Sequence, residues 1–250
     1  MYDLQRASIT KRIAAWIFDI MMILVVFSFV AAAISWVTGM PKYATELTEV
    51  QNEYLTNYGI DPSIPEQDLT EEQKAQFVEA ENAFQNDQRV IRAFAMIVNL
   101  SFVILGVGLF IAFFILEFLI PLFLHNGQTL GKKMFGIGVM QDNGVKLKSV
   151  SLFVRSMLGK YAVETMIPIA VILMIFTGQV SPVFLFIIFM LLVFEIVFIV
   201  RTKTNSTVHD VLSSSVTVDI ASQKIFETDE ELLEYKKRVA EEKANKAEYF

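Results

Sequence analysis

The sequence predicts an all-α membrane protein, with four transmembrane helices, a small cytoplasmic hairpin and a charged C-terminal helix. Three observations predict it. The 250 residues are 54% apolar and 19% charged, with a mean hydropathy of +0.49, where soluble domains hold about 45–50% apolar and about 25% charged residues. Four apolar stretches approach or exceed the ~20 helical residues that cross ~30 Å of hydrocarbon. The charges between them are sorted sharply by sign.

Composition also excludes whole classes of chemistry. With no Cys there is no disulfide scaffold, Cys-ligated zinc, iron–sulfur cluster or thiol catalysis. The two histidines, His125 and His209, are too few for a His-rich metal site. No cofactor and no nucleic-acid partner are expected.

The spans fall at about 13–37, 93–124, 161–178 and 183–200. The first exceeds the about 7–15 apolar residues of a cleaved signal peptide and contains Asp19, so it reads as a retained helix. The third holds Pro168, which predicts a kink. Only Gln179-Val180-Ser181-Pro182 separates the last two, a tight turn.

Lys and Arg in the loops set the orientation. Arg6, Lys11 and Arg12 face only Asp3 before the first span, and residues 125–155 hold five bases against Asp142. Residues 38–90 hold eleven acids against three bases. Four crossings then place both termini and the basic loop in the cytoplasm of a bacterial cell, with the acidic insertion, 38–92, outside the plasma membrane.

Within that insertion, Thr70-Glu71-Glu72-Gln73 has the form of a capping box, and nothing breaks a helix from there to Arg92. That helix is expected to continue straight into the second span. In the basic loop, Gly127-Gln128-Thr129-Leu130-Gly131-Lys132-Lys133 superficially looks like a phosphate-binding loop. It has three residues where that motif needs four between the glycines, no Ser or Thr after the first Lys, and no preceding strand, so nucleotide binding is rejected. Residues 134–140 and 145–149 flank Asp142-Asn143-Gly144, and Asn-Gly is a strong hairpin signal. The lysines here are expected at anionic lipid headgroups. Residues 149–158 suit an amphipathic interfacial helix. In the tail, 221–250, Thr228-Asp229-Glu230-Glu231 reads as a helix start, and Glu234/Arg238 has the favourable acid-first i,i+4 spacing.

Ionisable groups within hydrocarbon cost about 2.5–3.5 kcal/mol each and are functional candidates by default. Asp19, Glu117, Glu164 and Glu195 fall in the cytoplasmic half of the bilayer under this topology. Arg12, Arg155, Lys160 and Arg201 lie near enough to pair with them. Either the acids join helices through those cations, or several converge on a cavity and exchange a proton for a metal cation. Asp19, the most isolated from a local cation, is the leading carboxylate, with Glu117 as a second ligand. His209-Asp210 invites a metallohydrolase reading, but the only other histidine is His125, so Asp210 is placed instead as a partner of Arg12 or Arg155.

Three separated motifs then carry a resemblance: Arg12-Ile13-Ala14-Ala15-Trp16-Ile17-Phe18-Asp19; Gly127 to Ile137 with the Asp142-Asn143-Gly144 turn and Arg155; and Thr207-Val208-His209-Asp210-Val211-Leu212-Ser213, followed by Val216-Thr217-Val218. In these the chain resembles the RDD family of multi-pass bacterial membrane proteins, named for one arginine and two aspartates, over about residues 6–220, which implies an RDD-like transmembrane domain at 1–220. The resemblance assigns those positions to Arg12, Asp19 and Asp210. It implies transport, with cation/proton antiport proposed for some members. The long outer insertion and the charged tail depart from the family pattern.

The expected function is cation/proton exchange, or other small-solute transport, through a polar cluster of Arg12, Asp19, Glu117, Arg155, Glu164, Glu195 and Asp210. A monovalent cation and a proton are the expected ligands. The alternative is a non-transporting accessory or assembly protein that binds partners through its acidic loop and charged tail. No nucleophile–base constellation is visible, so an enzyme is not expected. Four spans are few for a transport path, which calls for a homo-oligomer or a membrane-protein partner.

Overall fold

The structure, a computed structural model, describes residues 5–247; residues 1–4 and 248–250, among them Asp3 and the end of the expected tail, lie outside the described residues. The chain forms two compact units. One is Val26–Ile111; the other holds the residues before it and those from Ala112 onward.

Helix α1, Ile9–Thr38, runs without a breaker and buries Ala15, Asp19 and Ile23. Their spacing of four sets them on one stripe. Gly39 ends the helix at φ 70°, and Pro41 opens α2, Met40–Asn57, where a missing N–H costs nothing. Helix α3, Glu71–Gln85, starts at the capping box the sequence predicts: the Gln73 N–H donates to Thr70 Oγ1 at 3.3 Å and the Thr70 N–H to Gln73 Oε1 at 3.0 Å. It does not continue into the second apolar helix. The chain breaks at Asn86, and the Asp87 carboxylate accepts the Arg89 N–H at 2.7 Å, opening a new helix, α4, at Gln88–Phe123. Arg89 also reaches Glu53 at 2.8 Å, and the Tyr54 hydroxyl reaches Asp87 at 3.1 Å, so α2 and α3 form a helical hairpin tied at its base.

In the other unit, α4 widens to i→i+5 turns over Phe114–Leu119, which carry the buried Leu116 and Glu117. A five-residue helix follows, α5, Leu130–Met134. Strand β1, Ile137–Gln141, is almost wholly buried. The expected local hairpin is corrected here. Asp142–Gly144 does reverse the chain, with Gly144 at φ 98°, but the returning segment makes a single bridge, Met140↔Lys146, and then turns to Phe226. The strand partner lies far along the chain. A buried strand needs apolar or β-branched neighbours; Lys146 and Lys148 offer charge at alternate positions, whereas Val216-Thr217-Val218 fits.

Helix α6, Ser149–Phe176, is continuous, so the helix expected at 149–158 and the third span are parts of one element. Wide turns over Val154–Met166 join its two parts, and Pro168 sits where α-helical turns resume. Gly178, at φ 69°, closes the helix with Gln179 N–H donating to Met174 O at 2.9 Å, a Schellman end. Helix α7, Pro182–Arg201, buries none of its residues. The short helix α8, Val208–Leu212, leads into β2, Ser215–Asp219, antiparallel to β1 with Val139 opposite Thr217. Helix α9, Asp229–Ala247, docks through Leu232 on Phe226 and Val145 and is mostly exposed beyond it. Among the described residues, four helices, α1, α4, α6 and α7, are long and apolar enough to cross a membrane.

Candidate functional site

Asp210 is the most enclosed of the predicted site residues, 1% exposed. Helix α8 places it in the third position of a capping box, where its Oδ2 accepts the Thr207 N–H at 3.1 Å and hydroxyl at 2.9 Å. Arg12, from α1, donates to the same oxygen at 2.9 Å. Arg155, from α6, donates to Oδ1 and to Ser215 Oγ, with Thr217 Oγ1 at 3.4 Å. Burial alone would push this carboxyl up, but Arg155 and Arg12 outweigh it and hold Asp210 well below the usual carboxylate range. The sequence expects Asp210 to pair with Arg12 or Arg155, and both arginines engage it.

Asp19 has a different setting. One oxygen accepts the Thr129 hydroxyl at 2.5 Å and the other the Gly131 N–H at 2.8 Å, so its charge faces the first turn of α5, where free N–H groups favour an anion. The approach is close: a Cβ on Gly131 would lie 2.3 Å from the Ala15 carbonyl oxygen. Glu117 forms an ion pair with Lys160 at 2.6 Å.

Glu164 and Glu195 meet at neither arginine. They lie with His209, their ligating atoms all within 4.8 Å of one another. The ring Nδ1 is 2.8 Å from Glu164, which also accepts the His209 backbone N–H at 2.9 Å. Glu195 accepts the Val208 N–H through Oε1 at 3.4 Å, while its Oε2 is buried with no hydrogen-bond partner among the described residues. Burial, then the Arg155 guanidinium, holds the His209 imidazolium down to about 4, so the ring is neutral near pH 7 and donates to Glu164 as a hydrogen bond. His209 was set aside for lack of a second histidine; its companions are carboxylates from α6 and α7, and only the fold brings them together.

A cavity of about 200 Å³ opens beside these groups, with Arg12, Asp19, Lys132, Arg155, Lys160 and His209 in its wall. The structure therefore draws the predicted residues into three sets around one cavity: Arg12, Arg155 and Asp210; Asp19 with α5; and Glu117 with Lys160. Glu164 and Glu195 form a fourth set behind His209.

A family model, the RDD family, matches residues 6–214. The chain belongs to the RDD family. It is thus a membrane protein by family as well as by its four apolar helices. Of the three positions that the resemblance assigned, Arg12 and Asp210 touch each other in this RDD chain, and Asp19 anchors α5. No curated protein and no solved structure matches it.

Proposed function

We propose that this RDD chain exchanges a monovalent cation for a proton, and that Glu164, Glu195 and His209 form the exchange site. The observation that carries the reading is the convergence of three ligating side chains from three elements, one with a buried carboxylate oxygen that nothing satisfies. Such an oxygen is costly to bury and is relieved equally by a proton or by a cation. Two neighbouring carboxylates in a poorly hydrated site also resist simultaneous ionisation, which couples loss of a proton to gain of another positive charge. Neutral His209 supplies a hydrogen bond that holds Glu164 in place. Asp19, whose two oxygens are already engaged, is given a positioning role, and Arg12, Arg155 and Asp210 a rigid ionic frame.

In this reading the chain crosses the plasma membrane four times, with both termini and the 125–155 loop in the cytoplasm. The site then lies in the cytoplasmic half of the bilayer. Helix α7, which carries Glu195 and buries no residue within its own chain, supports assembly of several copies around a transport path.

Purified protein in proteoliposomes containing a pH-sensitive dye tests the proposal, with Na⁺, K⁺ or Li⁺ added in turn. A cation-dependent pH change is expected, lost in Glu195→Gln while the variant keeps its wild-type melting temperature. Normal flux in a folded Glu195→Gln would overturn the site, and absence of flux from the wild type would overturn the exchange reading.

A further inference from the structure

We propose that the cavity beside α1 is a binding site for a phosphate group, with Lys132 as the contact left open for it. The wall carries four cations, Arg12, Lys132, Arg155 and Lys160, against one carboxylate, Asp19. Three of the cations are already engaged. Arg12 donates to Asn205 O at 2.5 Å and to Asp210, Arg155 to Asp210 and Ser215, and Lys160 to Glu117. Asp19 is taken up by Thr129 and Gly131. The Lys132 ammonium has no hydrogen bond or ion pair among the described residues, and the residue is only 9% exposed.

A buried cation without a partner is costly, because its lost hydration is not replaced. Burial, then the neighbouring Lys160 and Arg155, push the Lys132 ammonium well below the usual lysine range, and the nearby carboxylates of Glu117 and Asp19 offset this only in part. An anion seated in the cavity supplies the missing partner and offsets the repulsion among the cations. The shape and chemistry suit a phosphate: the volume of about 200 Å³ is well above the ~10–15 Å³ that one water requires, and guanidinium forks beside an ammonium match its several oxygens. The cavity rim is apolar on the α1 side, where Ile13 and Trp16 line it and are 51% and 59% exposed. Two sources share this chemistry, a phospholipid headgroup whose chains follow that rim and a free phosphate. The cavity wall shares His209 with the exchange site proposed above, but neither Glu164 nor Glu195 lines it, so Lys132→Met and Glu195→Gln test the two sites separately.

Trp16 is a reporter in the cavity wall. The chain has two tryptophans, and Trp36, 81% exposed, is removable as Trp36→Phe. The full-length Trp36→Phe protein in uncharged detergent is titrated with dihexanoyl phosphatidylglycerol, with inorganic phosphate and with dihexanoylglycerol, which lacks the phosphate. A saturable change in Trp16 fluorescence is expected with the phosphatidylglycerol. Its affinity falls at least tenfold in Lys132→Met and is unchanged in Lys133→Met, an exposed neighbour. A response to the lipid alone assigns a headgroup site; a response to inorganic phosphate as well assigns a site for the free ion. The proposal is overturned by no saturable response to either phosphate, by an equal response to dihexanoylglycerol, or by undiminished affinity in Lys132→Met. Because the ammonium has no partner in the fold, Lys132→Met melts no lower than the parent without ligand. A lower melting temperature shows that the fold already pairs the ammonium and also overturns the site.

Discussion

Asp210 and His209 are adjacent in the chain, and burial acts on them in opposite ways. The aspartate keeps its charge because two guanidinium groups and the Thr207 N–H surround it. The histidine loses its charge because it is buried beside Arg155, which holds its pKa at about 4 against an ordinary 6.5. The linkage has the same sign for both. A histidine with a depressed pKa takes up its proton more readily unfolded than folded, so its contribution is full above about pH 6.5 and is lost as the pH falls towards 4. Asp210, held low, contributes above the ordinary carboxylate range and loses that contribution at still lower pH. At 1.36 kcal/mol per unit, His209 contributes about 3 kcal/mol at most. The melting temperature in detergent is therefore expected to fall between pH 7 and pH 4.5. In His209→Gln the part of the fall between pH 6.5 and 4.5 becomes shallower; an unchanged pH profile would place the titration elsewhere. Of these two residues, the pairing of Asp210 was legible, as a choice between Arg12 and Arg155 once a metal site was set aside for want of histidines. The role of His209 was not, since Glu164 and Glu195 reach it only through the turn between α6 and α7.

Helices in the second unit meet at glycines, which sets what each contact tolerates. Gly131 lets the first turn of α5 rest against α1 so that Asp19 can accept its N–H. A Cβ there would meet the Ala15 carbonyl oxygen at 2.3 Å, an atom held in the α1 ladder and unable to swing aside. Gly136, two residues after α5, has φ 67° and nothing within 4 Å of an added Cβ. Gly131→Ala is thus expected to cost at least the about 1–3 kcal/mol typical of overpacking and to separate Asp19 from α5. Gly136→Ala meets only the left-handed backbone penalty of about 1–2 kcal/mol. Thermal melts of the two variants, with Asp19→Asn in each background, check this: Asp19→Asn adds little to Gly131→Ala and its full effect to Gly136→Ala. At this scale the sequence was legible wherever the signal is local. The capping box at Thr70 and the four apolar runs are local. The partner of β1 was not legible, because the Asn-Gly turn beside it is a strong signal for pairing with residues that bear Lys146 and Lys148. Nor was the length of α6: Arg155, Lys160 and Glu164 make its first half look interfacial, while each in fact finds a partner within the unit.

The sorting of charge along the chain is a property of the whole molecule, and it makes the orientation testable without disturbing the fold. Bases before the first span and in 125–155, against eleven acids in 38–90, are the bias that retains positive loops on the cytoplasmic side. The structure gives that bias a physical form, since Arg12, Lys132, Arg155 and Lys160 gather at one cavity, while the acids of 38–90 lie on a helical hairpin with an exposed surface. The absence of native cysteine means that a single introduced thiol is the only one in the chain. Ser63 lies in the exposed turn between α2 and α3, and Lys148 is exposed just before α6. With a membrane-impermeant maleimide, Ser63→Cys is expected to label in intact cells. Lys148→Cys is expected to label only after the membrane is opened. The reverse pattern would invert the orientation and put the carboxylate cluster at the outer face. Labelling of both sites in intact cells would mean an even number of crossings between them; α4 is the candidate span between Ser63 and Lys148 among the described residues, so its failure to cross would be the cause.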